Sequence, residues 1–226
     1  PAGSGQVPSR QATLLAGLAY LAVGSGIGLI IVALTRSLFI LGIGLLGVLG
    51  GFFYTARPLQ LGYRGVGEVM IAFLFGILPV YGSYYLQARS VDLLPLMPAT
   101  IVAVLIFLVI LINEFPDLPA DRQVHKRTLV VLLGMERAAW IYRMVLAFVS
   151  YPIAALMLTH RITFLAGTFY LLTLPLAIFA MRGANSRDLA VPGRYSANQT
   201  TILLHTVGSL ALVAGLFAAG LWRANG

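Results

Sequence analysis

Cysteine is absent from the 226-residue sequence, and charged side chains are scarce. The lack of cysteine excludes disulfides, cysteine zinc sites and thiolate nucleophiles from this chain. Charged residues make up 10% of it, whereas soluble domains average about 25%. Because 59% of the residues are hydrophobic and the mean hydropathy is +0.92, the composition excludes a soluble globular fold and a disordered chain.

The net charge of +8 needs a separate explanation. A strongly basic chain can bind nucleic acid, but here the basic residues stand singly between apolar segments. Membrane topology and contacts with anionic lipid or phosphate explain them better. We therefore expect membrane lipid as a partner and no nucleic acid, and the sequence indicates no obligate protein partner.

Apolar segments long enough to cross a bilayer dominate the chain, since a hydrocarbon core of about 30 Å needs about 20 helical residues. Continuous runs such as Ile101 to Ile112 lack the alternation of a membrane β-strand. The sequence predicts an all-α, polytopic transmembrane helix bundle that forms a single domain over residues 1–226. The glycine-rich stretches Gly24 to Gly28 and Gly42 to Gly51 predict close approach of helices. The predicted spans run from Ala12 to Leu34, Leu38 to Tyr54, Val66 to Leu86, Leu93 to Ile112, Ala138 to Leu158, Ile162 to Met181 and Thr200 to Trp222.

Basic residues are distributed unevenly over the two ends of this bundle. Because cytoplasmic loops carry more Lys and Arg, the end with the larger set is predicted to face the cytoplasm, in an inner-membrane protein. Six of the seven acids lie at the same end, so we expect the functional site there. The larger set comprises Arg10, Arg57, Arg64, Arg122, Lys126, Arg127, Arg137, Arg182, Arg187 and Arg194, and the smaller set Arg36, Arg89, Arg161 and Arg223.

The segment after Ile112 carries the most informative polar pattern. Asn113, Asp117 and Asp121 are spaced four residues apart, so their oxygens line one stripe if the helix continues. Two carboxylates next to lipid repel each other unless a cation neutralises them, and Mg²⁺ commonly takes one or two carboxylates plus phosphate oxygens. Lys126 and Arg127 follow and could hold the remaining phosphate charge, so the pattern indicates a metal-diphosphate site.

A simpler interpretation treats these residues as solvated loop charges. Charged runs between membrane spans are usually of that kind, and Pro116 and Pro119 argue against an unbroken helix. Spacing alone would favour this interpretation. The surrounding sequence decides between the two.

That surrounding sequence resembles the UbiA-type intramembrane prenyltransferases. The stretch 113–134, with Asn-x-x-x-Asp-x-x-x-Asp-Arg, Lys-Arg-Thr-Leu and Leu-Gly, is similar to the second aspartate-rich motif of that family. The stretch 54–68, with Tyr-Thr-Ala-Arg-Pro-Leu and Gly-Glu, is similar to the MenA-like branch that prenylates 1,4-dihydroxy-2-naphthoate. Pro58 stands where other branches have a lysine, and Arg57 is one residue earlier.

The first aspartate-rich motif of the family is missing from this chain, which opens with Pro1. Residues 1–10 resemble the segment that follows that motif in relatives. We therefore expect two helices of a nine-helix fold and the first metal site to lie upstream, and we expect the 226-residue piece to be inactive alone.

The resemblance implies transfer of a polyprenyl group from an allylic diphosphate to an aromatic acceptor, with Mg²⁺ as cofactor. It implies Asp117 and Asp121 as catalytic metal ligands and Asn113 as a secondary ligand. Lys126 and Arg127 are candidates for binding diphosphate, as are Arg57 and Tyr54, although membrane-flanking arginines and tyrosines more often set topology or anchor the interface. Glu68 is interpreted as a cap of its own helix, and Asn198 as a cap first and an acceptor-site residue second.

Other functions stay open at this point. A related prenyltransferase could take 4-hydroxybenzoate, homogentisate, a chlorophyllide or a glycerophosphate lipid as acceptor. A membrane transporter would also combine prolines and charges in a bundle, but it would carry ionisable residues near mid-membrane. The signature of the CDP-alcohol phosphotransferases is absent.

Overall fold

A computed structural model describes residues 10–149, 151–158, 164–189 and 196–225, and most of these residues are helical. No β-strand occurs in these ranges, so the predicted all-α class is confirmed. Among the described residues, six helical segments are long and apolar enough to cross a membrane. The protein is therefore a polytopic membrane protein. Predictions that concern residues 1–9, Arg161, Ile162 and Arg194 lie outside the described residues.

Two compact units divide the chain, residues 1–52 and 53–226. The first holds α1 (Arg10–Thr35) and most of α2 (Leu38–Thr55). Between these helices the Ser37 hydroxyl accepts a hydrogen bond from the Ile40 amide at 3.3 Å, which caps α2 at the predicted position. Within this unit a Cβ at Gly24, Gly26, Gly28, Gly42, Gly44, Gly47 or Gly51 would meet no atom within 4 Å. These glycines therefore make no close helix contact inside the unit, and their packing in a helix bundle stays a prediction.

The second unit holds the remaining helices. These are α3 (Gly67–Ala88), α4 (Leu96–Gln123), α5 (Leu129–Leu133), α6 (Met135–Phe148), α7 (Tyr151–Leu158), α8 (Phe164–Leu171), α9 (Leu174–Gly183), α10 (Ser186–Leu189) and α11 (Ser196–Asn225). The long α4 runs through the centre, and its buried side chains include Leu105, Leu108 and Phe115. The last helix, α11, packs against α4, α8 and α9.

Prolines affect two of the predicted spans in different ways. In α3 a π-helical turn, Phe73–Ile77, ends two residues before Pro79, and the helix continues through the proline. The sixth predicted span is instead divided into α8 and α9. The Thr173 hydroxyl bonds the Tyr170 carbonyl at 2.7 Å, and Pro175 starts the next helix, so the two pieces are each too short to span alone.

Gly76 marks the closest approach of α3 to α4. A Cβ at this position would lie 2.4 Å from the Ala103 Cα and 2.6 Å from the Ala103 nitrogen, which are backbone atoms that cannot move cheaply. We expect Gly76→Ala to lower the free energy of unfolding by about 1–3 kcal/mol or more through overpacking. Thermal unfolding in detergent measures it, with Gly44→Ala, which meets no atom within 4 Å, as the matched control. Equal stability of the two variants would contradict the packing shown here.

Candidate active site

The helix α4 continues past Ile112 to Gln123, with Pro116 and Pro119 inside it. Both prolines lie on its exposed side. Asn113, Asp117 and Asp121 therefore occupy successive turns of one helix, at the four-residue spacing that places them on a single stripe. We call these three residues the acid stripe.

The three side chains of the acid stripe differ in their exposure to solvent. Asp117 is exposed, Asn113 is half-buried and Asp121 is only 7% exposed. The chain turns back after the helix, with His125 at a φ of 56°, and the Lys126 amide donates to the Asp121 carbonyl at 2.9 Å. This turn brings the Lys126 ammonium to 3.3 and 3.4 Å from the two Asp121 carboxylate oxygens.

The charge on Lys126 follows from two opposing effects. Partial burial lowers the pKa of Lys126, but the Asp121 carboxylate, followed by weaker contributions from Tyr54 and Glu114, outweighs it and raises the pKa above its ordinary value of 10.5. Lys126 is therefore positively charged at neutral pH. In this position it can neutralise a carboxylate or donate hydrogen bonds to a phosphate.

Tyr54 joins this group from the end of α2. It lies within electrostatic range of Lys126, Asp121, Glu68 and Glu114. Its ring packs on the loop that follows it, because a Cβ at Gly62 would lie 2.8 Å from the Tyr54 Cζ. Glycine at that position is what allows the backbone to approach the ring.

Glu68 has a role other than the predicted cap of its own helix. Its side chain is 2% exposed and does not cap its own helix. Instead Glu68 Oε1 accepts a hydrogen bond from the Leu129 amide at 2.7 Å. Glu114 Oε2 accepts from the adjacent Val130 amide at 3.5 Å, and the Thr128 hydroxyl accepts from the Val131 amide at 3.4 Å.

These three acceptors satisfy the first N–H groups of α5, which have no partner within the helix. Both acidic side chains thus fix the start of α5, three residues after Lys126. The sequence contains one signal of this arrangement, since each glutamate borders a long apolar run and a buried carboxylate needs a partner.

We expect Glu68→Ala to lower the free energy of unfolding by about 1–3 kcal/mol, because the buried Leu129 amide loses its acceptor. Glu68→Gln should lose less, since its amide oxygen can still accept that hydrogen bond. Hydrogen exchange at amides 129–131 and thermal unfolding measure both effects. Glu136→Ala, at an exposed acid in the first turn of α6, is the matched control, and unchanged exchange in Glu68→Ala would refute the capping role.

The predicted arginines lie at the edge of this site. Arg57 and Arg127 are exposed, and the described residues give neither side chain a hydrogen bond or ion pair. The Arg127 amide donates to the Tyr63 carbonyl at 3.3 Å, which joins the two loops. Arg64 donates to the Pro58 carbonyl at 2.8 Å and so braces its own loop.

The donor set can be compared with the needs of Mg²⁺. Asp117 and Asp121 supply hard carboxylate oxygens from adjacent turns, and the described residues hold no group of three or more His, Cys, Asp or Glu side chains placed around an ion. Mg²⁺ commonly takes one or two carboxylates and completes its shell with water and phosphate oxygens. The carboxylate pair fits such an ion when a phosphate is also bound.

Comparison with known proteins adds to this geometry. The sequence profile of the UbiA prenyltransferase family matches residues 1–195. The chain belongs to the UbiA prenyltransferase family. This confirms the resemblance seen in stretches 54–68 and 113–134, and it agrees with the helical membrane architecture of the described residues.

Several bacterial proteins are similar to this chain. A 1,4-dihydroxy-2-naphthoate octaprenyltransferase of Mycobacterium tuberculosis is 34% identical over 67% of this chain and 53% of its own length. The protein of that name from Mycobacterium leprae is 30% identical over 93% of this chain and 69% of its own length, and that from Escherichia coli is 35% identical over 60% and 44%. The chain thus spans between 44% and 69% of the length of these relatives. No solved structure matches it.

Proposed function

We propose that this protein transfers a polyprenyl group from an allylic diphosphate to an aromatic acceptor, with Mg²⁺ as cofactor. The observation that carries the proposal is the acid stripe with Lys126 against it, at the end of an apolar helix bundle. We further propose 1,4-dihydroxy-2-naphthoate as acceptor, in menaquinone synthesis, because the similar bacterial proteins bear that name.

Some residues of the site would bind the diphosphate through the metal ion, and others would contact it directly. Asp117 and Asp121 would hold the magnesium ion, with Asn113 beside them, and the bound ion would supply charge neutralisation at the departing diphosphate. Lys126 donates hydrogen bonds to the phosphate oxygens. Arg57 and Arg127, exposed at the rim, and Tyr54, beside Lys126, complete the phosphate contacts.

The reaction breaks the bond between C1 of the prenyl chain and the diphosphate oxygen, and the diphosphate leaves with the electron pair. The electron-rich ring of the acceptor attacks C1 at the carbon that bears the carboxylate. That carboxylate leaves as CO₂, which restores the aromatic ring. The apolar bundle holds the isoprenoid chain and excludes the water that would otherwise capture the allylic cation.

The location follows from the distribution of basic residues. Lys and Arg are concentrated at the bundle end that carries the acid stripe, and cytoplasmic loops are the ones enriched in these residues. We propose an inner-membrane protein whose site faces the cytoplasm, where both a soluble aromatic acid and Mg²⁺ are accessible.

The protein expressed from its complete reading frame provides the test. Polyprenyl diphosphate and 1,4-dihydroxy-2-naphthoate are supplied with Mg²⁺, and released diphosphate, CO₂ and prenylated product are measured. We expect one of each per turnover and none with chelator. Parallel reactions with 4-hydroxybenzoate and homogentisate test the acceptor. No prenylated product with any of these acceptors would refute the proposed activity.

A further inference from the structure

Asn198, in the first turn of the last helix, reaches across to the acid stripe. Its side chain is 6% exposed, and its Nδ2 donates to the Ile112 carbonyl and to the Asn113 Oδ1, both at 2.9 Å. Because α11 begins at Ser196, Asn198 lies inside the helix and not at the cap position predicted for it. Both hydrogens of the amide are used on α4.

The Ile112 carbonyl is free for this contact because of Pro116. In an α-helix the Ile112 carbonyl would accept from the N–H of residue 116, and proline has none. A buried carbonyl without a partner is destabilising, and Asn198 supplies the missing donor from another helix. The contact thus lies where α4 lacks a backbone hydrogen bond, one residue before the acid stripe.

The last helix is itself held at this level. One turn beyond Asn198, the Thr201 hydroxyl and the Tyr142 hydroxyl of α6 are 2.6 Å apart, and both side chains are almost completely buried. The start of α11 is therefore fixed to α6 and to α4 at the same time. A donor mounted on such a support can restrict the orientation of the helix end that it contacts.

We propose that Asn198 is a positioning residue that closes the hydrogen-bonding gap left by Pro116 and so holds Asn113, Asp117 and Asp121 in register for a divalent ion. The inference rests on the proposed function, because it assigns the acid stripe to metal binding. Asn198 itself contacts α4 and needs no contact with the ion.

The test combines metal binding with a double-mutant cycle. Asn198→Ala removes the donor, and Pro116→Ala restores a backbone N–H that can bond Ile112 within the helix. Gln199→Ala, the exposed amide next in sequence, is the matched control. Mn²⁺ binding is followed by electron paramagnetic resonance, and unfolding by thermal denaturation without metal, on protein from the complete reading frame.

We expect Asn198→Ala to weaken Mn²⁺ binding about 10-fold and to lower the Tm by about 2–6 °C, as for loss of one buried hydrogen bond. In the Pro116→Ala background most of both losses should disappear, and an Asn198→Ala protein that does not fold should regain folding there. Unchanged Mn²⁺ binding in Asn198→Ala, or losses as large in the Pro116→Ala background, would overturn the inference.

The metal role of the acid stripe and the positioning role of Asn198 can be refuted separately. If Asp117→Ala and Asp121→Ala bind Mn²⁺ as the unaltered protein does, the acid stripe is not the metal site, and both the proposed metal role and this inference are refuted. If those variants lose Mn²⁺ and Asn198→Ala does not, only the inference is refuted.

Discussion

Replacing either Asp117 or Asp121 by alanine is expected to reduce the release of diphosphate by about 10³-fold or more. Each carboxylate would hold the ion that neutralises charge on the leaving group, and loss of such stabilisation commonly costs at least about 10²–10³ in rate. The assay is Mg²⁺-dependent diphosphate release from polyprenyl diphosphate with 1,4-dihydroxy-2-naphthoate. Retained turnover in both variants would exclude the metal role.

The stability of the two variants should differ, which separates chemistry from folding. Asp117 is exposed, so Asp117→Ala should change the free energy of unfolding by about 0.5 kcal/mol or less. Asp121 is buried against Lys126, and its loss leaves that ammonium without its partner, at a cost of about 1–3 kcal/mol. Glu136→Ala removes an exposed acid from α6 and should keep both turnover and stability.

Lys126→Met is expected to separate binding of the metal from binding of the substrate. In the structure the Lys126 ammonium donates hydrogen bonds to both carboxylate oxygens of Asp121. Because Lys126→Met frees these oxygens, Mn²⁺ should bind at least as tightly in the absence of diphosphate. Loss of the Lys126 ammonium should destabilise the transition state in which diphosphate departs, so we expect kcat/KM to fall about 10²-fold. Lys126→Arg should recover part of that loss because it keeps the charge.

The pH dependence of this effect has a definite sign. The pKa of Lys126 is raised, since the Asp121 carboxylate outweighs burial, so its charge is present below the ordinary value of 10.5 and is lost only as the pH rises through the higher folded value. The difference between the protein and Lys126→Met should therefore stay constant from about pH 6 to about pH 9. Arg137→Met, the same charge change at an exposed position on α6, is the control. A difference that declines within this range, or an equal kcat/KM loss in the control, would contradict the assigned role.

The acid stripe could be predicted because it depends on one helix only. Asn113, Asp117 and Asp121 lie in one continuous segment, and their spacing alone places them on one side if that segment is helical. Whether it stays helical past Pro116 and Pro119 could not be predicted, because each proline removes a backbone hydrogen bond of the helix. Asn198 replaces that bond for the Ile112 carbonyl.

The partners of Glu68 and Asn198 were not predictable for the same reason. Their hydrogen bonds join residues 61 and 86 positions apart, and no periodicity in the sequence relates such positions. Each was interpreted as a local helix cap, which is the commoner role for its residue type near a helix start. The structure shows that both side chains instead connect helices.

The sequence by itself determined that this protein is a helical membrane protein with a row of carboxylate and amide oxygens at one end of a span. Hydrophobic length and four-residue spacing are local properties, so they can be read along the chain. Only the tertiary structure decided which side chains support that row, because buried carbonyls and amides take whichever donor or acceptor the packing of distant helices brings within about 3 Å.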